Sequence, residues 1–188
     1  MQRQLITEEQ LIRQCQKADR KAQKMVYDKY ASKMLAVCKR YLRRQDEAED
    51  ALLQAFLKVF QKIDLYKAQG SFEGWIRRIV VNECLNMIRS QKMLFVDIEA
   101  PQLSQTLDYE TLNTQLEAKD LLNLLEKLPA GYRTVFNLYA IEGYSHQEIA
   151  ESLQISEGTS KSQLSRARQL LQKYLIETEN ALKNQQHG

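Results

Sequence analysis

An all-α fold is predicted for this chain: two small helical domains joined by a flexible acidic linker, the C-terminal one containing a helix-turn-helix. Three observations predict it. Gly and Pro are scarce, six and two in 188 residues, while Leu, Gln, Ala, Lys and Glu abound, a composition that favours helices over an all-β fold. Apolar residues recur at helical spacing on both sides of one stretch, 91–116, where the periodicity lapses. The segment Tyr144–Ser165, YSHQEIAESLQISEGTSKSQLS, reads as a short helix, a tight turn and a second helix.

The first helix is expected to start at Thr7, with Gln10 completing a capping box and Leu11, Ile12 and Cys15 on its apolar side. Asp19 can cap a longer second helix that turns Ala22, Met25, Val26, Tyr30, Met34, Val37, Cys38 and Tyr41 inward. Lys39, Arg40, Arg43 and Arg44 suit the negative pole at its end. A third helix is expected from near Asp46 to about Lys62, with the stripe Leu52, Leu53, Phe56, Val59, Phe60 and Ile63. After a polar loop, Asp64–Gly70, Ser71 caps a fourth helix to about Arg89 that buries Phe72, Trp75, Ile76, Ile79 and Val80.

Pro101 and scattered Ser, Thr, Gln and acids mark residues 91–116 as a linker. Helix resumes from about Leu116 to Leu128. Pro129 begins the next helix, which runs to Ile141 and stops near Gly143. In the helix-turn-helix, Ser145 and Ser156 are the N-caps, Gln154-Ile155-Ser156 makes the turn, and Ile149, Ala150, Leu153, Leu164, Ala167 and Leu171 face inward. Lys161, Ser162, Ser165, Arg166 and Arg168 face out, and no acid occurs between Glu157 and Glu177. The domains expected are 1–92, a linker 93–116, 117–178 and a frayed tail 179–188.

Charge sharpens this division. Residues 1–95 carry 19 Lys and Arg against 11 Asp and Glu, a net +8. Residues 96–116 carry no base and four acids, Asp97, Glu99, Asp108 and Glu110; residues 117–178 are near neutral with a local basic stripe. That pattern points to a nucleic-acid protein. The N-terminus lacks the apolar stretch of a signal peptide, and no apolar run nears the roughly 20 residues needed to span a bilayer. A cytoplasmic protein without membrane insertion is expected. Cys15, Cys38 and Cys84 are odd in number and far apart, as free buried thiols in a reducing compartment would be. No metal, cofactor or catalytic constellation stands out, so no enzyme is expected.

Two surfaces suit DNA. The basic side of the last helix fits a major groove, where Arg and Lys reach guanine edges and phosphates; an ordinary amphipathic helix pair with a solvated basic face is the plainer reading. On the fourth helix, Arg78, Asn82, Asn86 and Arg89 fall on one side at i, i+4, i+8 and i+11. Tyr66, Phe72 and Trp75 lie beside them, and aromatic rings next to cations suit unstacked bases. A helix for duplex and another for flipped bases together point to promoter opening.

On these motifs the chain resembles a bacterial RNA polymerase sigma factor, of the extracytoplasmic-function class of the sigma-70 family. DEAEDALLQAFLKVFQKI resembles the family's polymerase-gripping helix, and SFEGWIRRIVVNECLNMIRS its minus-ten reading helix. LPAGYRTVFNLYAIEGYSHQEIAESLQISEGTSKSQLSRARQLL resembles its minus-thirty-five domain. The resemblance implies docking of core polymerase on Asp46, Glu49, Asp50, Gln54 and Lys58. It implies minus-ten recognition by Tyr66, Phe72, Trp75, Arg78, Asn82, Asn86 and Arg89, with the loop Asp64–Ser71 capturing a flipped base. It implies minus-thirty-five recognition by Thr159, Lys161, Ser162, Ser165, Arg166 and Arg168. An anti-sigma factor is the further partner it implies, and the linker resembles the segment that threads toward the RNA-exit channel.

The chain also departs from the family pattern. Leu53-Gln54 stand where Gln-Glu is usual, Ser160 and Gln163 where Val and Arg are usual, and Gln154 where many such turns carry Gly. Ser160 is expected to cost ~1 kcal/mol as a polar group between helices, and Gln163 to remove a phosphate contact. Two other classes compete: a stand-alone helix-turn-helix regulator binding duplex operators as a dimer, and a helical adaptor that binds protein only.

Overall fold

The computed structural model describes residues 6–90 and 118–185, with side chains for 6–90 and 123–178. The linker expected at 93–116, with its four acids, lies outside the described residues. The chain divides into two compact units, Met1–Ser90 and Gln91–Gly188, and every described element is helical.

In the first unit, α1 (Glu8–Gln16) begins on the expected capping box, Thr7 with Gln10. Helix α2 (Arg20–Tyr41) begins on Asp19, whose carboxylate accepts the Ala22 N–H at 2.9 Å. Helix α3 (Gln45–Gln61) starts without a side-chain cap. Asp46 there is bound by Arg44 at 2.5 and 3.1 Å, which holds its carboxyl below the usual range. A short 3-10 turn, Ile63–Leu65, leads by a loop to α4 (Phe72–Ser90), where Ser71 Oγ accepts the Gly74 N–H. Helices α2, α3 and α4 pack pairwise, and α1 rests on α2 and the 3-10 turn.

The core is the expected stripe of each helix, with instructive exceptions. Val26, Tyr30, Met34, Phe56, Val59, Ile76 and Val80 are buried, each contributing roughly 2 kcal/mol of transfer free energy. Met25 and Leu53, expected inside, are exposed. Trp75, Ile79 and Phe60 are half-buried. A helix packed on one side hides an arc of only ~100°, and these residues lie at or beyond its edges. Burial pushes the Cys15 thiol up to about 11, and the hydrogen bond with Cys38, with burial behind it, raises Cys84 far above the ordinary thiol value, which leaves these two unreactive.

Lys58 is occupied within the fold. Its ammonium pairs with Glu83 of α4, which is buried in the α3–α4 interface. Replacing Lys58 with Ala strands that carboxylate. The expected loss is ~2 kcal/mol, below the usual cost of breaking a buried pair because Lys58 is partly exposed. Thermal unfolding should show a midpoint ~10 °C lower, and Lys58→Met with Glu83→Leu should recover most of it. An undiminished midpoint in the single variant would mean the pair is ornamental.

In the second unit, α5 (Ala118–Lys127) precedes Pro129, which occupies the cap position before α6 (Ala130–Phe136). The chain continues as a π-helical turn, Asn137–Ile141, and stops at Gly143, whose φ of 76° suits glycine. Helix α7 (His146–Leu153) starts on a capping box of Ser145 with Glu148. Helix α8 (Glu157–Gln185) packs against α5, α6 and α7. The tail expected from 179 is helical as far as Gln185, because neither Gly nor Pro interrupts residues 159–187.

Candidate nucleic-acid interface

The turn between α7 and α8 is set by Gln154, which takes the left-handed conformation at φ 58°, ψ 43°. A non-glycine residue there costs about 1 kcal/mol. Ser156 Oγ accepts the Thr159 N–H at 2.9 Å and lies 2.9 Å from Thr159 Oγ1. Lys161 and Ser165 are exposed, while Thr159, Ser162, Arg166 and Arg168 are half-buried. Ser162 donates back to the Thr159 carbonyl at 3.0 Å. Lys161 sits 3.3 Å from Glu157.

Arg168 was expected to face out, but its guanidinium lies 5.7 Å over the Tyr139 ring and its Nε is buried. Tyr139 in turn stacks on His146 at 4.6 Å. This ring stack ties the π-turn, α7 and α8 together, and nothing in the periodicity of any single helix announces it.

The two unusual recognition-helix residues are both buried. Ser160 is fully enclosed and lies 2.9 Å from His146 Nδ1, so the hydroxyl has the partner that offsets its expected cost. Gln163 is 2% exposed, and its Oε1 has no hydrogen-bond partner among the described residues. It therefore belongs to the domain core and not, as the family pattern led one to expect, to the phosphate-contacting face. The position falls one residue before Leu164 and three after Ser160, on the inward arc of α8.

His146 carries a pH signature. Burial, and then the Lys161 charge, hold its pKa below the ordinary 6.5; Glu157 opposes them, and Arg168 adds the smallest downward push. The folded state then binds fewer protons than the unfolded chain, so stability is full above about pH 6.5 and falls as pH drops toward the folded value. His146→Gln should flatten the decline in thermal midpoint between pH 7.5 and 5.5; an equal decline in both proteins would remove His146 as its source.

In the first unit the polar row of α4 is present. Arg78, Asn82 and Asn86 are exposed, and half-buried Arg89 donates from Nη2 to the side-chain Oδ1 of Asn86. Beside it Trp75 stacks on Phe72 at 5.8 Å and 14°, and Tyr66 packs against both at 5.1 and 5.5 Å. Tyr66 also donates its hydroxyl to the Gly70 carbonyl at 2.9 Å, which closes a loop that needs glycine at φ 105°. Phe72, expected among the base-contacting residues, is 1% exposed. It cannot offer a face to a base and instead backs Trp75.

On α3, Asp46, Glu49, Asp50, Leu53, Gln54 and Leu57 are exposed along one side. Leu53 and Leu57 are 51% and 55% exposed. The apolar pair, flanked by acids, is turned away from the core. Leu57 was missed in the sequence. Its signal was a position four residues after Leu53 and seven after Asp50.

Residues 26–93 match the sigma-70 region 2 model and residues 118–171 the sigma-70 region 4 model. The chain is 31% identical over 176 residues to the ECF RNA polymerase sigma factor SigW of Bacillus subtilis, covering 87% of this chain and 94% of that one. It is 27% identical over 180 residues to the ECF RNA polymerase sigma-E factor of Haemophilus influenzae, covering 89% and 94%. Among solved structures, the sigma factor RpoE in complex with the anti-sigma factor NepR from Bartonella quintana matches with a TM-score of 0.49 at 25% identity, covering 81% of this chain and 96% of that one. The two matched regions define a sigma-70 type initiation factor. The chain belongs to the sigma-70 family, in its extracytoplasmic-function class: a sigma factor that directs RNA polymerase to promoters. That family is one of transcription initiation factors, and no described helix is long and apolar enough to cross a membrane.

Proposed function

We propose a division of labour along the chain. Residues 1–92 dock core polymerase through the exposed side of α3 and accept unpaired bases of the minus-ten element on the α4 row and the Tyr66–Trp75 corner. Residues 117–178 read the minus-thirty-five duplex with Thr159, Lys161, Ser162, Ser165 and Arg166 at the start of α8, and Arg168 holds that helix through Tyr139. The observation that carries the reading is the α3 surface: exposed leucines among acids have no use inside the unit and suit a partner with a basic rim and an apolar centre. It acts in the cytoplasm, without catalysis of its own, and an anti-sigma factor that masks these surfaces is the regulator it would meet.

A dimeric operator-binding regulator explains the basic face of α8 but leaves the α4 row and the aromatic corner without a role. Reconstitution with core polymerase, followed by run-off transcription on a genomic fragment library, is the direct test. Specific start sites are expected, and their absence would end the proposal. Arg166→Ala should lower transcription from those promoters by roughly tenfold, as loss of one base or phosphate contact does, while polymerase binding measured by anisotropy stays unchanged.

A further inference from the structure

We infer that Glu8 and Tyr30 are positioning residues for the aromatic corner, acting through Phe72; the inference rests on the reading that this corner accepts an unpaired base. The links are explicit. Glu8, in the first turn of α1, accepts hydrogen bonds on Oε2 from Lys29 Nζ at 2.6 Å and from the Tyr30 hydroxyl. The Lys29 ammonium also lies 4.8 Å over the Tyr30 ring. Tyr30 is 2% exposed and meets Phe72 edge-on, with centroids 5.9 Å apart at 77°. One turn further on, Lys33 bonds Glu73 at 3.0 and 3.3 Å. Helix α2 therefore grips the first two residues of α4 at consecutive points.

Phe72 transmits this to the half-buried rings. It stacks on Trp75 and packs on Tyr66, whose hydroxyl holds Gly70. Edge-to-face and stacked pairs have defined geometry, so fixing the plane of Phe72 constrains the plane of Trp75. A buried phenol needs a partner for its hydroxyl, and a carboxylate shared with a lysine is a strong one. The hydroxyl anchor is what Tyr at position 30 adds over Phe: it sets the ring by a directed bond where packing alone would let it shift. A base that stacks on a preset ring does not have to order it on binding, which raises affinity.

Trp75 is the sole tryptophan of the chain, so its emission reports the corner directly in the full-length protein. Glu8→Leu removes the acceptor and Tyr30→Phe the donor, so each abolishes the directed bond with little change in volume. Without nucleic acid, acrylamide quenching of Trp75 should rise about twofold in both variants, as a released ring becomes more accessible. Titration with oligothymidylate should quench wild-type Trp75 by stacking, with the midpoint shifted upward roughly tenfold in the variants. Val37→Ala, about two turns further along α2, serves as a matched destabilised control whose oligothymidylate midpoint should stay at the wild-type value.

Unchanged acrylamide quenching, an unchanged oligothymidylate midpoint, or an equal shift in Val37→Ala would each overturn the positioning role. Should oligothymidylate leave wild-type Trp75 unquenched while acrylamide quenching rises in both variants, the link from Glu8 to Trp75 stands and the base-accepting reading falls.

Discussion

Replacing Leu57 with Asp should weaken binding of core polymerase by roughly 30-fold, the scale of a central interface anchor worth about 2 kcal/mol. The fold should hardly notice. Leu57 is 55% exposed on α3, and Asp in place of Leu at a helix surface costs ~0.5 kcal/mol in propensity. The neighbouring position sharpens the experiment. Gln54 stands where the family usually has an acid, so Gln54→Glu should tighten binding several-fold at low salt and lose the gain as salt rises, the behaviour of a steering charge. Competition of unlabelled variants against a labelled chain for core polymerase measures both. If Leu57→Asp competes as well as wild type, α3 is not the docking surface.

Asn82→Ala should separate recruitment from opening. Asn82 is exposed at the middle of the α4 row, so its loss leaves packing intact. An amide that reads a base edge contributes about 1–3 kcal/mol of discrimination, which places the expected fall in open-complex formation at roughly tenfold. Binding of the holoenzyme to duplex promoter should change less than about twofold, since phosphate and upstream contacts supply that step. Strand opening followed by 2-aminopurine in the minus-ten region, beside a gel-shift measurement of the closed complex, distinguishes the two. Equal loss in both assays would move Asn82 out of base recognition and into general affinity.

These effects differ in how visible they were beforehand. The α4 row was legible because four polar residues at helical spacing define a face without any knowledge of neighbours. The acids of α3 were legible for the same reason. Leu53 misled, because a leucine beside a leucine reads as core, and only the packing of α2 and α4 on one side of α3 shows which of the pair is left outside. Phe72 gave two readings: its place on the inward stripe of α4 marked it as core, and its place beside Trp75 marked it for base contact; its enclosure against Tyr30, some forty residues earlier, leaves only the first. Gln163 reads as a lost phosphate contact because the family usually has Arg there; the structure turns it inward.

What the linear chain determined alone is the helical class, the caps at Thr7, Asp19, Ser71, Ser145 and Ser156, and the basic and polar faces. Each depends on residues within a turn or two of one another, where backbone hydrogen bonding and side-chain spacing act locally. What only tertiary structure decided is which edge of each stripe meets solvent and which polar and charged groups are already paired: Lys58 with Glu83, Glu8 with Tyr30, Ser160 with His146. Those pairings join helices whose approach depends on the packing of the whole unit, and desolvation, which sets their strength, is a property of that packing and not of the order of residues.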